Sequence, residues 1–343
     1  MSYWRKRKNH YKVEDIVYAI SNNGLRDNHS VAYCLVGYIC AYLRYYHPIE
    51  FLTSFLNNAA NEDDIRRGTE YASKLGIKVT MPKWAFSKSN YSYSLEDRII
   101  AKGLSSVKYM GKGIAEELYD VAHSGATYDY FVDVLSDVFG KTSIDARQIE
   151  ILIKLDFFSD FGNQRELLRI YDIFSKLFKK GEAKKLKRDG IDGTPMQEII
   201  SKYSNSKNKN GSESKSYTLF DAKSAMRELE LSVLKLHMDD LDNKVKIENF
   251  KEFMGYYGYF SGKEEDRKKL YIVNVFPLYR KKDGKQFGYS IITRSIGSGK
   301  EARFTVFNKV FDSEPVKQGD IIYCERYRRE GQYFTMESYY RDW

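Results

Sequence analysis

From about residue 267 onward, the apolar side chains of this 343-residue chain recur at every second position. That period constrains the fold more than any other feature, because alternation at two puts one face of a strand in a core and the other in water. Five segments carry it: "LYIVNVFPL", "QFGYSIITR", "ARFTVFN", "DIIYCERY" and "QYFTMESYY". Turn signals "KKDGK", "GSGK", "KQGD" and "REGQ" lie between or beside them. Five short strands rich in tyrosine and phenylalanine, in about 75 residues, fit a small closed barrel. The OB-fold is the commonest such barrel that takes single strands.

Upstream the period is 3.6. Val13, Ile16, Val17 and Ile20 have helical spacing, and "NNGLRDN" breaks it. Asn28 is placed to cap a helix over about 29–46. That helix is apolar nearly all round, so a central position is expected. Pro48 ends it or opens the next, "PIEFLTSFLNNA". Residues 61–76 read as an amphipathic helix closing on Gly76, "IKVTMP" as an extended segment, and "SYSLEDRIIAKG" as a hairpin-like excursion.

Leu104 to Lys180 reads as short helices: about 128–138, 145–155, and 164–179, the last capped by Asn163 with Leu167, Leu168, Tyr171 and Phe174 as its apolar stripe. Residues 180–216 are rich in lysine, serine and asparagine and read as a mobile linker. One helix follows, "DAKSAMRELELSVLKLHM", anchored by Met226, Leu229, Leu231 and Leu234. The expected fold class is α+β and multidomain: a helical region 1–95, a second helical region 96–180, a linker plus helix 181–266, and a barrel 267–343.

The formal net charge is +9. A basic chain favours anionic partners, most often nucleic acid, although a basic surface also serves solubility. No apolar run reaches the ~18 residues that span a bilayer, so no membrane partner is expected. The start, "MSYWRKRKNHYK", lacks the apolar region of a signal peptide. Cys34, Cys40 and Cys324 form no CxxC pair and no zinc spacing, which suits a reduced cytoplasmic protein. The five histidines are scattered, and "HMDD" at 237–240 reads as a solvated helix end. There is no P-loop, GxSxG, HExxH or paired-aspartate pattern for two-metal nucleotidyl transfer, so no catalytic or metal-ligating residue is assigned.

Two bends carry the functional signal. In "GLSSVKYMGKG", residues 103–113, apolar Leu104, Val107 and Met110 run into Gly111 and Gly113, flanked by Lys108 and Lys112. This has the form of a helix-hairpin-helix, whose glycine hairpin presents backbone N–H groups and a helix N-terminus to a phosphate. An ordinary αα-corner with a glycine cap is the alternative. The second bend, in "LIKLDFFSDFGNQRELL", is acidic and reads as the structural half of a tandem pair, with Phe157, Phe158 and Phe161 packed inside. In the barrel, the first loop carries Arg280, Lys281, Lys282 and Lys285. Alternation places Phe287 with Tyr289 on one face of the second strand and Arg303 with Phe307 on one face of the third. Aromatics beside cations suit base stacking and phosphate pairing. Phe287 and Phe307 as barrel core is an equal alternative, and Arg326, Arg328 and Arg329 read as solvated.

Residues 24–51, "GLRDNHSVAYCLVGYICAYLRYYHPIEF", resemble the fingers segment of the C-family polymerases, the bacterial replicative DNA polymerase III alpha subunits, through Gly24, His29, Ala32, Tyr33, Pro48, Glu50 and Phe51. "GLSSVKYMGKG" is similar to the stretch that opens that family's tandem helix-hairpin-helix, and "IEILIKLDFFSDFGNQRELL" to its second half. The barrel falls where the family has its OB domain. The sequence departs from the family at Tyr109, where a glycine is usual, at Arg26 and Asp27, which replace an Asn-Lys pair, and at Asn28, which stands for a serine. The palm with its catalytic aspartates, and the Mg that they would hold, are not in this sequence. The resemblance implies a role in DNA replication: gripping duplex and single-stranded template, with Arg26 and His29 contributing from the fingers tail. It also implies a separate palm-bearing chain and other replisome proteins as partners, and no synthesis by this chain alone. Two alternatives are a stand-alone DNA-binding accessory protein and an adaptor whose barrel binds protein.

Overall fold

The computed structural model describes residues 27–84, 86–178, 185–207 and 210–342. The expected helix at 13–20 and the candidate Arg26 lie outside the described residues. Two compact units are present, one reaching to residue 82 and including 87–103, the other made of 83–86 and the chain from 104 on.

In the first unit, α1 (Asp27–Tyr46), α2 (Pro48–Asn57) and α3 (Glu62–Lys74) precede three short strands, β1 (Lys78–Thr80), β2 (Ser92–Ser94) and β3 (Ile99–Ala101). Pro48 sits at the start of α2, where its missing N–H removes a donor that would lack a helical partner anyway. Asn61 caps α3 by accepting from the Asp64 N–H at 2.9 Å, and Gly76 follows its end at φ 70°. The expected hairpin forms: β3 pairs antiparallel with β2 and parallel with β1. Leu52, Leu56, Ala72, Ile77 and Ile100 fill the core.

The expected burial of α1 is not met. Val31, Tyr33, Leu35, Val36, Ile39 and Tyr42 are all exposed. A helix apolar on every side needs neighbours on every side, and among the described residues α1 packs chiefly on α2. Its tyrosines pack on one another instead, Tyr42 with Tyr46 and Tyr45 with Tyr46, each at 4.7 Å between ring centroids.

The second unit starts with a single 3-10 turn, Leu104–Ser106, then α4 (Lys112–Ala122), α5 (Phe131–Lys141), α6 (Ala146–Lys154) and α7 (Gln164–Leu177). The caps at Asp145 and Asn163 are full capping boxes, with Gln148 and Glu166 reaching back. Leu167, Tyr171 and Phe174 of α7 are buried as expected, and Leu168 is half-buried. The segment 83–86 inserts here: Trp84 packs edge-on against Phe157 at 6.1 Å and donates its backbone N–H to the Phe157 carbonyl.

The linker expected over 180–216 is, where described, folded. β4 (Lys185–Lys187), β5 (Ser204–Lys207) and β6 (Glu213–Leu219) form a sheet in the order β4-β6-β5, with α8 (Met196–Lys202) between β4 and β5. Few apolar residues suffice because they share one face: Leu186 lies opposite Tyr217, and both are buried with Ile191 and Ile200. Two helices follow, α9 (Ala222–Leu234) and α10 (Asn243–Met254). Met226 and Leu229 anchor α9 as expected, but Val233 takes the buried place expected of Leu231, which is exposed. The sequence reading omitted α10, although Ile247, Phe250, Phe253 and Met254 form its buried face.

Glu230 joins α9 to α5. Its carboxylate is 2% exposed and accepts from the Phe131 and Val132 N–H groups, both at 2.8 Å. Phe131 and Val132 open α5, and the helix's own preceding residue, Tyr130, gives no side-chain cap. A bidentate contact from Arg227 to Asp133 closes the same junction.

The five expected strands all form: β7 (Lys269–Tyr279), β8 (Gln286–Ser295), β9 (Glu301–Phe307), β10 (Ile321–Glu330) and β11 (Tyr333–Arg341), with the one-turn helix α11 (Asn308–Phe311) after β9. They close in the order β10-β11-β9-β8-β7. β7, β8 and β9 form an antiparallel meander, β11 joins β9 in parallel, and β10 closes on β7. This is the five-stranded OB arrangement, filled by Ile272, Ile291, Val306, Ile322 and Met336.

Glu230→Ala should lower stability by about 1–3 kcal/mol, the cost of stranding buried donors. Burial raises the Glu230 carboxyl above its ordinary value, more than the two N–H donors lower it. The folded value therefore exceeds the unfolded one. The group's contribution is full at pH below the unfolded value and declines as pH climbs through the raised one. Urea unfolding across that range should show the gap between wild type and Glu230→Ala narrowing as pH rises.

Candidate nucleic-acid interface

The first bend is built from a short run of local bonds. The Val107 N–H donates to Leu104 O and the Met110 N–H to Val107 O, each at 3.1 Å, and Leu104, Val107 and Met110 are buried. The Lys108 N–H is tied to Phe253 O of α10 at 2.9 Å, and Gln148 Nε2 of α6 donates to Tyr109 O at 2.7 Å. The turn is thus clamped from two other helices before α4 begins.

The left-handed residue of this bend is not one of its glycines. Gly111 has φ −68°, an ordinary extended cap, so positive φ is not the reason for a glycine there. The left-handed residue is Tyr109, at φ 68°. For a bulky side chain that conformation costs about 1–3 kcal/mol, which the clamps must hold in place. What Gly111 and Gly113 supply is a thin backbone: a Cβ at either would meet open space. No side chain caps α4, so its first N–H groups take no side-chain partner at the cap position. The run before the bend is also shorter than a helix, a single 3-10 turn.

Lys108 and Lys112 flank the turn as expected, both exposed. Lys112 lies 3.9 Å from Glu116 one turn on, a surface pair of little energetic weight. Sequence reasoning missed Arg147, whose guanidinium carbon lies 3.9 Å from the centre of the Tyr109 ring. It comes from α6, so only the tertiary fold brings it here. Glu117 of α4 accepts from the Ser143 N–H and Oγ at 2.6 and 2.8 Å, bonds that hold its carboxyl below its ordinary value and fix α4 against the α5–α6 turn.

The second bend has the structural character expected. Phe157 and Phe158 are buried, and Phe161 is half-buried against Phe131. Asp156 takes the left-handed position, at φ 64°. Burial raises its carboxyl despite Lys83 at 3.7 Å. His29 lies in the first turn of α1, in the other unit from both bends.

In the barrel, Arg280, Lys281, Lys282 and Lys285 are all exposed on the β7–β8 loop. The loop closes through Arg280 N–H to Lys285 O at 2.9 Å, with Gly284 at φ 66°. The register keeps Arg303 and Phe307 on one face, as expected, and puts Tyr289 on the other. Tyr289 lies opposite Val306 and Ile291 opposite Phe304, all on the core side. Arg303 lies opposite Ile292 and Phe307 opposite Gly288, on the outer side. Tyr289 accordingly stacks on Phe311 at 3.7 Å, as core, whereas Phe307 is 46% exposed and Arg303 is exposed. Phe287 is half-buried, its ring 6.3 Å from that of Phe307 at the strand end. Neither ring belongs to the buried core cluster.

The β10–β11 hairpin adds residues that sequence reading left as solvated or did not single out. A bulge between Cys324 and Tyr327 breaks strict alternation on β10. Tyr327 then lies opposite buried Met336 and packs against Phe304 and Phe334, at 5.9 and 6.0 Å. Arg329 lies 5.4 Å over the Phe334 ring. Arg326 and Arg328 are exposed, as expected.

The two aromatic roles can be separated by melting. Tyr289→Ala should lower stability by about 3–5 kcal/mol, the usual cost of truncating a packed aromatic. Phe307→Ala should stay within about 0.5 kcal/mol, as for a surface substitution. Thermal denaturation of both variants checks the assignment.

A helix-hairpin-helix motif family model matches residues 76–168, a stretch that includes both bends. Among known proteins, the chain is similar to DNA polymerase III subunit alpha of Ureaplasma parvum serovar 3, 24% identical over 197 residues, covering 56% of this chain and 20% of that protein. The same subunit of Campylobacter jejuni is 30% identical over 46% of this chain and 13% of its own length. That of Thermus aquaticus is 28% identical over 46% of this chain and 13% of its own length. This chain therefore spans a fifth or less of these relatives, and its resemblance to the alpha subunit covers about half of itself.

Proposed function

We propose that this chain, which resembles part of DNA polymerase III subunit alpha, is a DNA-gripping portion of such a replicative polymerase. The observation that carries the reading is the start of α4. It combines a glycine cap, open space at Gly111 and Gly113, first N–H groups without a side-chain cap and the flanking Lys108 and Lys112, inside the stretch that matches the helix-hairpin-helix family. Such a terminus holds a backbone phosphate without reading sequence, because the helix dipole and the free donors both favour an anion. The barrel supplies a second grip, for single strands. Its outer face offers Phe307 for stacking, with Arg303 and the loop cations Arg280, Lys281 and Lys282 for phosphate. In this reading the chain up to about residue 95 is a fingers-like region, with Arg26 and His29 near template. Synthesis belongs to a palm on another chain or segment.

Fluorescence anisotropy with a short duplex tests the proposal. Binding should weaken with salt, and Lys108→Ala with Lys112→Ala should flatten the log–log slope by up to about 1.8, or about 0.9 for each lost phosphate contact. An unchanged slope with an intact fold would place the duplex contact elsewhere. Single-stranded affinity should fall by about 1–3 kcal/mol in Phe307→Ala, without loss of melting temperature. The chain alone should extend no primer, and adding a palm-bearing partner should restore synthesis. If stoichiometric mixing gives no gain, the stand-alone accessory role is favoured.

A further inference from the structure

We propose that Arg147 is a third phosphate-contacting cation of the first hairpin, and that Tyr109 is its platform rather than an obstacle to the DNA. The inference rests on the DNA-gripping reading above and deepens it.

Three observations, on the turn and on α6, converge. Tyr109 keeps a left-handed backbone at φ 68°, a conformation that glycine adopts freely and tyrosine does not. Its carbonyl is held by buried Gln148 at 2.7 Å, so α6 fixes the turn in that conformation. Its ring lies half open to solvent under the guanidinium of Arg147, the residue next to Gln148. Arg147 is exposed and takes part in no ion pair among the described residues. A guanidinium laid on a ring spends only its face on the contact. The N–H groups along its edge stay free for a bidentate contact with two phosphate oxygens. Ordering a long arginine in advance also reduces the entropy lost on binding.

The position of the strain makes sense on this account. A glycine at 109 would relax the backbone but remove the ring. Tyrosine keeps the ring at a cost in local stability, which is expected where geometry serves binding. Arg147 comes from the first turn of α6, so a helix outside the hairpin adds a cation to its phosphate site.

The test separates folding from binding. Tyr109→Gly should melt no lower than wild type, because the strain is relieved, yet bind a short DNA duplex about three- to tenfold more weakly, the scale of losing one partly screened cation contact. Arg147→Ala should weaken binding by the same factor and flatten the salt slope by about 0.9. The double variant should be no weaker than either single one, since both remove the same contact. Tyr109→Phe, which keeps the ring, should bind like wild type. Tighter or unchanged binding by Tyr109→Gly overturns the inference, and so does an unchanged salt slope in Arg147→Ala, while the double-lysine result still upholds the hairpin. Wild-type protein that binds no duplex at all overturns both.

Discussion

The N-terminal amides of the helices set much of this structure. Each helix begins with N–H groups that have no partner within it, and a folded chain must give them one or leave them to solvent or a ligand. Asn61, Asp145, Asn163 and Asp221 each cap the helix that follows them. α5 has no cap of its own and takes the Glu230 carboxylate from α9, 98 and 99 residues along the chain. That bond joins the first helices of the second unit to a helix lying beyond the β4-β6-β5 sheet. α4 has neither arrangement, and nor do α2, α8 and α10; α4 differs from these in starting at a glycine whose Cβ position is open space. The need that side chains meet at five helix starts is left without a side-chain partner at the hairpin.

What surrounds that open terminus is held unusually firmly. The backbone of the turn is bonded to α10 through Lys108 and to α6 through Tyr109, and α4 is bonded to the turn before α6 through Glu117. Rigid support of a strained turn suits a site that must keep its donors aimed at a ligand without reorganising. The contrast with the second bend is instructive. Asp156 has the same left-handed backbone as Tyr109, but the phenylalanines around it are buried and its carboxyl faces Lys83. One bend faces outward and the other anchors the helices that carry it.

The barrel shows how register sorts residues that look alike in a sequence. Tyr289 and Phe307 are both aromatic, both on adjacent strands, and both beside polar residues. Their partners, Val306 and Gly288, put one inside and the other outside. On β10 a bulge does similar work, shifting the alternation so that Tyr327 joins Phe304 and Phe334.

The amino-acid sequence alone determined the features that depend on near neighbours in the chain. The five barrel strands were legible because alternation at two is a local pattern, and the cap at Asn163 because a capping side chain needs only the next three residues. The bend at 109–113 was legible from its glycines and lysines. Tertiary structure decided the rest. The sheet over 185–219 was hidden because its few apolar residues suffice only when Leu186 and Tyr217 meet across strands. α1 was expected to be central because periodicity reports that a helix is apolar, not whether neighbours exist to cover it. Arg147 could not be placed beside Tyr109 from sequence, since 38 positions separate them and only the packing of α6 against the turn brings a cation over that ring. Spacing along the chain specifies which elements form; which of their side chains share a site is fixed by packing between elements remote in sequence.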